Sequence, residues 1–330
     1  MSSELISSVS ASGSRSAART GPWRPRISVA IVNNMPDAAL QTTERQFLTH
    51  LVAGADQFDL RAHLFSLPGI PRAGAMRDRV KTRYLDYAVL RELHMDALIV
   101  TGAVPNAGSL ANEPFWTHMV DLVDWATTNT LSVLWSCLSA HAMVLHLDGI
   151  ERCRLPRKLS GLYPIETCDD DPLLAGIGQT MFIPHSRYND LPEEALRAAG
   201  YTILSRSDAA GLDMFQKATP SLFIGLQGHP EYDGDTLMRE YRRDVLQYLA
   251  KEREDFPDLP ANYFNPATEQ LLTTFAHQAR SERTPALAEE FPDLRAMIPH
   301  IGIWHPAATK IFRNWINQVA ALKAQRRAAA

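Results

Sequence analysis

Residues 131–147, LSVLWSCLSAHAMVLHL, contain the transition that decides the fold. The first part, residues 131–135, is a short apolar run with the length and composition of a buried β-strand. Residues 139–147 favour a helix, and only Ser136-Cys137-Leu138 separates the two elements. A buried strand that leads directly into a helix is the building unit of α/β proteins, in which parallel strands alternate with helices.

The same alternation of strand and helix extends along most of the preceding chain. Buried strands are predicted at residues 27–32 and 96–100, and the alternating pattern of residues 59–67 predicts a further strand. Helices are predicted at about 43–52 and 116–127. The sequence therefore predicts an α/β fold with a doubly wound, mostly parallel sheet flanked by helices.

Downstream of this stretch the pattern is less regular. Residues 151–172 have no clear period, and residues 252–300 mix Pro, acidic and aromatic residues without one. A strongly amphipathic helix is predicted at about 235–251, and a last helix from about residue 307. The other strand-like runs are short and lie at residues 181–183, 201–204 and 221–226.

The chain has 330 residues, of which 45% are hydrophobic, and is long enough to bury a substantial core. Residues 1–26 are rich in Ser, Ala and Arg and lack the apolar run of a signal peptide, so we predict a disordered tail. Residues 27–330 are predicted to form a single α/β domain with a C-terminal extension. No stretch approaches the roughly 18 apolar residues of a membrane-spanning helix, and we expect no membrane partner.

Charge and cysteine content narrow the classes of function. The formal net charge is −4 and no basic stripe stands out, which argues against a nucleic-acid partner. Cys137, Cys153 and Cys168 make an odd count without a CxxC pair. That pattern supports neither a disulfide framework nor a metal site, and it favours a reducing compartment, the cytoplasm.

Cys137 has the setting of a catalytic nucleophile. It lies between a predicted strand and a predicted helix, the sharp turn on which a nucleophile elbow is built. The helix N-terminus stabilises a thiolate, and the backbone N–H of Leu138 is placed to contribute to an oxyanion hole. The alternative is a buried structural cysteine, the commoner fate of a lone Cys. Cys153 and Cys168 lack this setting, and we interpret them as structural or incidental.

A second polar motif, Gly228-His229-Pro230-Glu231, follows the apolar run at residues 221–226. A His just beyond the carboxyl end of a strand lies at the sheet edge where α/β proteins place their sites. Glu231 is near enough in sequence to accept a hydrogen bond from the His229 ring, which would orient the ring and stabilise its protonated form. The alternative is a helix-capping segment with surface charges.

A strand–Cys–helix unit followed about ninety residues later by strand–Gly-His-Pro-Glu resembles the class I glutamine amidotransferase fold. Further motifs occur in matching order from about residue 27 to 320, and they resemble those of the homoserine O-succinyltransferase family. They are NNMP at residues 33–36, ERQFL at 44–48, TGA at 101–103, LSGLY at 159–163, PHSRY at 184–188, HPEYD at 229–233, EYRRD at 240–244, NYF at 262–264 and NWIN at 314–317.

The resemblance implies a ping-pong transfer of a succinyl or acetyl group from acyl-CoA to the γ-hydroxyl of L-homoserine, the first committed step of methionine biosynthesis. Acyl-CoA is then a co-substrate, and no cofactor is bound. The partners implied are these small-molecule substrates and, in a homodimer, a second copy of the chain.

The resemblance also implies roles residue by residue. By the matching motifs, Cys137 is acylated, His229 is the general base and Glu231 supports that base. The residues that match substrate-binding positions are Lys158, the acyl-site serine Ser186, and Arg243, which matches an arginine that binds the carboxylate of the amino acid.

Three positions near the expected site depart from the family pattern. Leu138 stands where the family usually has Ala or Trp, His141 replaces a Gln, and Asp37-Ala38 occupies the place of a lysine pair. Acyl choice in the family depends on the loop after Thr-Gly-Ala, where a Glu favours acetyl and a Gly favours succinyl. Asn106 stands there, neutral and able to donate to a carboxylate, so we favour succinyl-CoA as the donor.

Other functions stay open on the sequence alone. The same mechanism could use acetyl-CoA as donor, or serine as acceptor given the altered segment around Asp37. A glutamine amidotransferase-like hydrolase would use the same nucleophile and base. The last alternative is a non-catalytic protein that binds a metabolite or a partner, and the presence of Cys137, His229 and Glu231 together argues against it.

Overall fold

The computed structural model describes residues 24–105, 107–168, 170–294 and 302–329. Of the predicted tail at residues 1–26, residues 1–23 lie outside these ranges, and Arg26 already begins the first strand. The strands found in the described ranges are β1 Arg26–Val32, β2 Asp59–Phe65, β3 Ala97–Val100, β4 Ser132–Ser136, β5 Cys153–Thr167, β6 Thr180–Asp190, β7 Thr202–Ser207, β8 Gly211–Ala218 and β9 Leu222–Leu226. They form one sheet in the order β2-β1-β3-β4-β9-β8-β7-β5-β6.

Five neighbouring strands, β2, β1, β3, β4 and β9, run parallel, and we call them the parallel half of the sheet. β3 and β4 are buried along their whole length. Helices cover both faces of such strands, which is why they read as continuous apolar runs in the sequence. The predicted α/β fold, with a doubly wound, mostly parallel sheet flanked by helices, is confirmed.

The other four strands, β8, β7, β5 and β6, pair antiparallel and form the antiparallel half of the sheet. The prediction of an irregular segment at residues 151–172 is wrong for most of its length, because Cys153–Thr167 forms β5. The first half of β5 is largely exposed, contains Pro156 and is basic, so no apolar alternation marks it. Pairing with β6, more than local propensity, makes it a strand. β8 has no counterpart among the predicted strands either.

Helices pack on both faces of the sheet. On one face Phe47 and Trp315 are fully buried, and the Trp315 Nε1–H donates to Ser132 Oγ at 2.9 Å. On the other face Val123 and Met143 pack against the sheet. No helix in the described part of the chain is long and apolar enough to cross a membrane. The helices are α1 Asp37–Gly54, α2 Gly74–Arg83, α3 Trp116–Asn129, α4 Leu138–Asp148, α5 Glu193–Ala198, α6 Thr236–Leu249, α7 Pro266–Glu282 and α8 His305–Ala329.

A separate apolar cluster joins α6 to α7, and it includes Tyr241 and Phe275. The prediction that residues 252–300 contain no regular element is wrong over α7, while residues 295–301 lie outside the described ranges. The start signal of α7 was present in the sequence. Asn265 caps the helix by accepting from the Thr268 N–H at 2.8 Å, and a proline occupies the first helical turn.

Candidate active site

Cys137 is the single residue between the end of β4 and the start of α4. Its backbone has φ 53° and ψ −111°, a conformation that costs a non-glycine residue roughly 1–3 kcal/mol. The Cys137 N–H donates to the Leu226 carbonyl at 2.6 Å, which ties the turn to the end of β9. The thiol is partly buried, and the strained turn presents it at the carboxyl edge of the sheet.

The end of β9 places a histidine beside this turn. β4 and β9 are parallel neighbours with Ser136 opposite Leu226, so the residues that follow each strand meet at one edge. Gly228 passes close to the antiparallel half, since a β-carbon there would lie 2.5 Å from Asp213 Oδ1. Only glycine fits this path, and it brings His229 close enough to donate its backbone N–H to Pro184 O at 2.7 Å.

The side chains of Cys137, His229 and Glu231 form a connected set. His229 Nδ1 and Glu231 Oε1 are 2.8 Å apart, and the two residues are 8% and 3% exposed. Burial alone would lower the pKa of His229, but the Glu231 carboxylate and the neighbouring Cys137 side chain outweigh it and hold that pKa well above its ordinary value. The three side chains therefore interact electrostatically.

Tyr232 supports the histidine from the side, a role that the sequence did not reveal. Its ring stacks on the His229 ring with centroids 4.3 Å apart and planes inclined by 15°. Its hydroxyl donates to Glu240 Oε1 at 2.9 Å. The histidine is therefore fixed both by Glu231 at Nδ1 and by an aromatic face, which limits rotation of the ring.

The residues that match substrate-binding positions converge on two carboxylates of α6, Glu240 and Asp244. Lys158 Nζ lies 2.9 Å from Asp244 Oδ2 and 3.6 Å from Glu240 Oε2. Ser186 donates its hydroxyl to Glu240. Arg243 donates to Asp244 Oδ1 at 2.7 Å. Glu240 also accepts the hydrogen bond of Tyr232, whose ring stacks on His229. Tyr232 therefore links this cluster to the histidine. The EYRRD motif contains both carboxylates, but their partners lie too far away in sequence to be identified from it.

The turn after β3 lies next to the residue that follows the nucleophile. Leu138 begins α4, so its backbone N–H has no acceptor within the helix. A β-carbon on Gly102 would lie 3.5 Å from Leu138 N, so glycine keeps the space beside that N–H open. A substrate oxygen bound at Leu138 would occupy this space. Asn106, the candidate for acyl specificity, lies outside the described residues.

Buried polar side chains connect the nucleophile's helix to the antiparallel half. His141, one turn after Cys137, places Nε2 at 2.7 Å from Gln227 Oε1, and Gln227 Nε2 donates to Asp190 Oδ1 at 2.7 Å. Burial lowers the pKa of His141 to about 4, so this imidazole is neutral at physiological pH. The neutral His141 ring donates its Nε2–H to Gln227 Oε1. The Gln that the family usually has at position 141 could donate the same hydrogen bond through its side-chain amide.

The departure at Asp37 also has a structural explanation. Asp37 Oδ1 lies 3.4 Å from Arg72 Nη1, and Asp37 Oδ2 accepts the Ala73 N–H at 2.8 Å. Arg72 also donates to the Asn33 carbonyl at 3.1 Å. Asp37 therefore fixes the turn before α2 against the end of β1, and no contact from it to the Cys137–His229 pair is present among the described residues.

The described residues contain no group of three or more His, Cys, Asp or Glu side chains arranged to hold a metal ion. Cys137, Cys153 and Cys168 are all free thiols, and the last two are exposed. At the sheet edge a thiol, an imidazole and a carboxylate lie in series, which is the geometry that nucleophilic catalysis by a cysteine requires.

Known proteins resemble this chain in both sequence and fold. A sequence model of the homoserine O-succinyltransferase family matches residues 7–325. A homoserine O-succinyltransferase of Rhodopseudomonas palustris is 46% identical over 294 residues, 89% of this chain and 88% of that protein. One of Methylorubrum extorquens is 46% identical over 299 residues, 91% of this chain and 89% of that protein. A solved structure of a glutamine amido transferase from Methylobacillus flagellatus has a TM-score of 0.51 at 14% identity, covers 90% of this chain and 96% of its own, and shares the fold.

Proposed function

The chain belongs to the homoserine O-succinyltransferase family, and from that premise we propose that it transfers a succinyl group from succinyl-CoA to the γ-hydroxyl of L-homoserine. This reaction is the first committed step of methionine biosynthesis. The family resemblance seen in the sequence motifs is confirmed by the match over residues 7–325. The observation that carries the proposed mechanism is the connected set of Cys137, His229 and Glu231 at the adjoining ends of β4 and β9.

In the first half-reaction, the Cys137 thiol transfers its proton to His229 and the sulfur attacks the thioester carbonyl of succinyl-CoA. The carbonyl oxygen becomes negative and accepts a hydrogen bond from the Leu138 N–H at the start of α4. The bond between the carbonyl carbon and the CoA sulfur then breaks, and the CoA sulfur takes the proton from His229. The products are free CoA and a succinyl thioester on Cys137.

In the second half-reaction, His229 accepts the proton of the homoserine hydroxyl as its oxygen attacks the succinyl-Cys137 carbonyl. Collapse of the tetrahedral intermediate expels the Cys137 sulfur, which regains a proton from His229. Glu231 stabilises the imidazolium in both halves, and the 2.8 Å contact to His229 Nδ1 leaves Nε2 for the reacting groups. The balance is one ester formed and one CoA released.

Substrate recognition falls to the cluster around Glu240 and Asp244. We assign Arg243 to the carboxylate of homoserine, because a guanidinium binds a carboxylate through two parallel hydrogen bonds. Its side chain is 53% exposed, so it can meet a ligand while Asp244 holds its other edge. Lys158 and Ser186 complete the substrate contacts that the family motifs imply.

The donor is assigned as succinyl-CoA. The relatives at 46% identity carry the name homoserine O-succinyltransferase, which supports this acyl group over acetyl. We propose that Asn106, in the loop after Gly102, donates its side-chain amide N–H to the succinyl carboxylate. Its side chain is neutral and so does not repel that carboxylate. The cytoplasm, where acyl-CoA is made and free thiols persist, is the proposed compartment, and a homodimer is the proposed assembly.

The proposed function is tested by a substrate panel with the purified protein. With succinyl-CoA alone, CoA release should stop at about one equivalent per enzyme, and continued release should require L-homoserine as well. O-succinylhomoserine should then appear in an amount equal to the CoA released during turnover. Acetyl-CoA in place of succinyl-CoA, and L-serine in place of L-homoserine, should give much lower kcat/KM. A higher kcat/KM with either replacement would change the donor or acceptor, and release of ammonia from glutamine without acyl transfer would contradict the proposal.

A further inference from the structure

A cavity adjoins the substrate cluster and shares Asp244 with it. It has a volume of about 510 Å³, and Lys158 forms part of its wall. We call it the guanidinium pocket and define it by Arg154, Lys158, Tyr188, Arg253, Phe256 and Arg280, all of which line it.

Two guanidinium groups in this pocket are held by aromatic rings instead of by carboxylates. The Arg154 guanidinium carbon lies 4.5 Å from the centroid of the Tyr188 ring, and that of Arg280 lies 4.7 Å from the centroid of the Phe256 ring. Within the described ranges neither arginine forms an ion pair with an acidic side chain. A guanidinium stacked on a ring uses its face, so its N–H groups, which lie in its plane, stay free for a ligand.

The other cations of the pocket differ in this respect. Lys158 is paired with Asp244 at 2.9 Å, and Arg253 lies 3.5 Å from the same carboxylate. Paired cations contribute little net charge to a ligand. Arg157 is likewise 3.6 Å from Asp258, and Asp255 also lines the pocket. Five cationic side chains thus face three carboxylates, which leaves a net positive charge. The stacked guanidinium groups of Arg154 and Arg280 present the planar, two-pronged donor geometry that matches a phosphate.

Lys158 connects the pocket to the catalytic residues. Its ammonium lies 3.6 Å from Glu240 Oε2, Glu240 accepts the Tyr232 hydroxyl at 2.9 Å, and the Tyr232 ring stacks on His229. A ligand in the pocket would thus lie outside the reacting centre but adjacent to it. Homoserine has no group for such a site, because its single carboxylate is assigned to Arg243.

We propose that the guanidinium pocket binds the phosphate groups at the nucleotide end of the acyl-CoA donor, with Arg154 and Arg280 as the contacting residues. The inference rests on the proposed function, because it takes acyl-CoA as the donor. The chemistry fits the shape of that substrate. CoA carries its phosphates and its thioester at opposite ends of a linear pantetheine arm, so an enzyme that reacts at the thioester must hold the phosphates elsewhere.

The test compares two donors in the variants Arg154→Ala and Arg280→Ala. Succinyl-CoA carries the phosphates, whereas S-succinyl-pantetheine has the same thioester and arm without the nucleotide. Each substitution should lower kcat/KM for succinyl-CoA about tenfold, which corresponds to ~1.4 kcal/mol. It should leave kcat/KM for S-succinyl-pantetheine unchanged. Arg242→Ala is the matched control, because Arg242 lies 5.7 Å from the Phe291 ring in the same kind of contact but does not line the pocket.

Two outcomes would overturn the inference. Unchanged kcat/KM for succinyl-CoA in both variants would show that the pocket does not bind the donor, and an equal loss with both donors would show a purely structural role for the arginines. If the wild-type protein turned over neither donor, the proposed function would fail, and calorimetry with CoA itself would then decide the inference separately. The wild type should bind CoA about 100-fold more tightly than the double variant, and equal or absent binding would refute the pocket.

Discussion

The two halves of the sheet differ in how they hold their functional groups. In the parallel half, Cys137 and His229 follow fully or largely buried strands and are fixed by backbone hydrogen bonds of the turns themselves. In the antiparallel half, Lys158 and Ser186 lie on strands in which buried positions alternate with partly or fully exposed ones. Their side chains are fixed mainly by contacts with charged groups of α6.

We infer that the parallel half carries the covalent chemistry and that the antiparallel half recognises the substrates. Covalent chemistry needs atoms held to within a fraction of an ångström, which buried strand ends and a strained turn provide. Recognition of charged substrates needs side chains that can exchange one ionic partner for another. Substitutions in the parallel half should therefore depress the reaction with every substrate, whereas those around the antiparallel half should affect one substrate at a time.

The largest effect is expected for Cys137→Ala. Without the sulfur no acyl-enzyme forms, and kcat should fall on the order of 10⁴-fold or more with every donor. Cys168→Ala is the matched control, since that free thiol is exposed on the antiparallel side and should leave kcat within about twofold. Comparable activity of the two variants would show that Cys137 is not the nucleophile and that the parallel half does not carry the covalent chemistry.

Glu231→Gln should lower kcat/KM on the order of 10³-fold and also change its pH dependence. The Glu231 carboxylate raises the pKa of His229, so its removal lowers that pKa. The imidazolium then loses its proton at lower pH, and because His229 must be unprotonated to act as the base, the acidic limb of the kcat/KM profile should move to lower pH. Profiles recorded over the same buffers for both proteins check this, and an acidic limb at an unchanged pH would contradict the assigned role.

Arg243→Ala should act on the acceptor alone. Loss of a two-pronged contact to a carboxylate is expected to cost ~2 kcal/mol, or about 30-fold in kcat/KM for homoserine. The value of kcat/KM for succinyl-CoA should hold, because Asp244 keeps its 2.9 Å contact with Lys158. Arg242→Ala, one residue earlier on α6, should change neither value. A loss shared equally by both substrates would show that Arg243 maintains the structure instead of binding homoserine.

The hydrogen-bond chain that joins the two halves is expected to affect stability and its pH dependence. His141 has a pKa of about 4 in the fold against 6.5 when exposed, so the unfolded chain takes up the proton first as pH falls. The free energy of unfolding of the wild type should therefore fall, relative to His141→Gln, by about 2–3 kcal/mol between pH 7.5 and 4.5. Urea unfolding at the two pH values measures this.

A control for that comparison is His277→Gln, because His277 is exposed on α7. It should change the pH dependence of unfolding very little. If His141→Gln and the wild type lost stability in parallel on acidification, the neutral, donating state assigned to His141 would be wrong.

The strands of the parallel half could largely be predicted from the sequence, because a strand buried on both faces is a continuous apolar run. The apolar runs of β1, β3, β4 and β9 predicted the strands, and polar residues directly after two of them, Cys137 and His229, predicted the edge at which they meet. Their meeting depends on β4 and β9 being parallel neighbours, which the structure shows and the strand pattern alone did not establish.

The antiparallel half and α7 were not accessible in the same way. β5 is stabilised by pairing with β6, and its basic, proline-containing first half has no periodic pattern of its own. Contacts such as Lys158 with Asp244, 86 residues apart, and the stacking of Tyr232 on His229 depend on side-chain positions that no local pattern encodes. α7 differs, because the sequence contains a helix start signal, Asn265 followed by Pro266. The segment lacks a clear hydrophobic period, and for that reason no helix was predicted there.

Mass spectrometry of the intact protein after incubation with succinyl-CoA alone decides whether Cys137 is the acylated nucleophile. We expect a mass increase of one succinyl group, located on the peptide that contains Cys137 and removed when homoserine is added. A succinyl group found on Cys153 or Cys168 instead, or CoA release only when homoserine is present with no acylated protein at any time, would contradict that assignment.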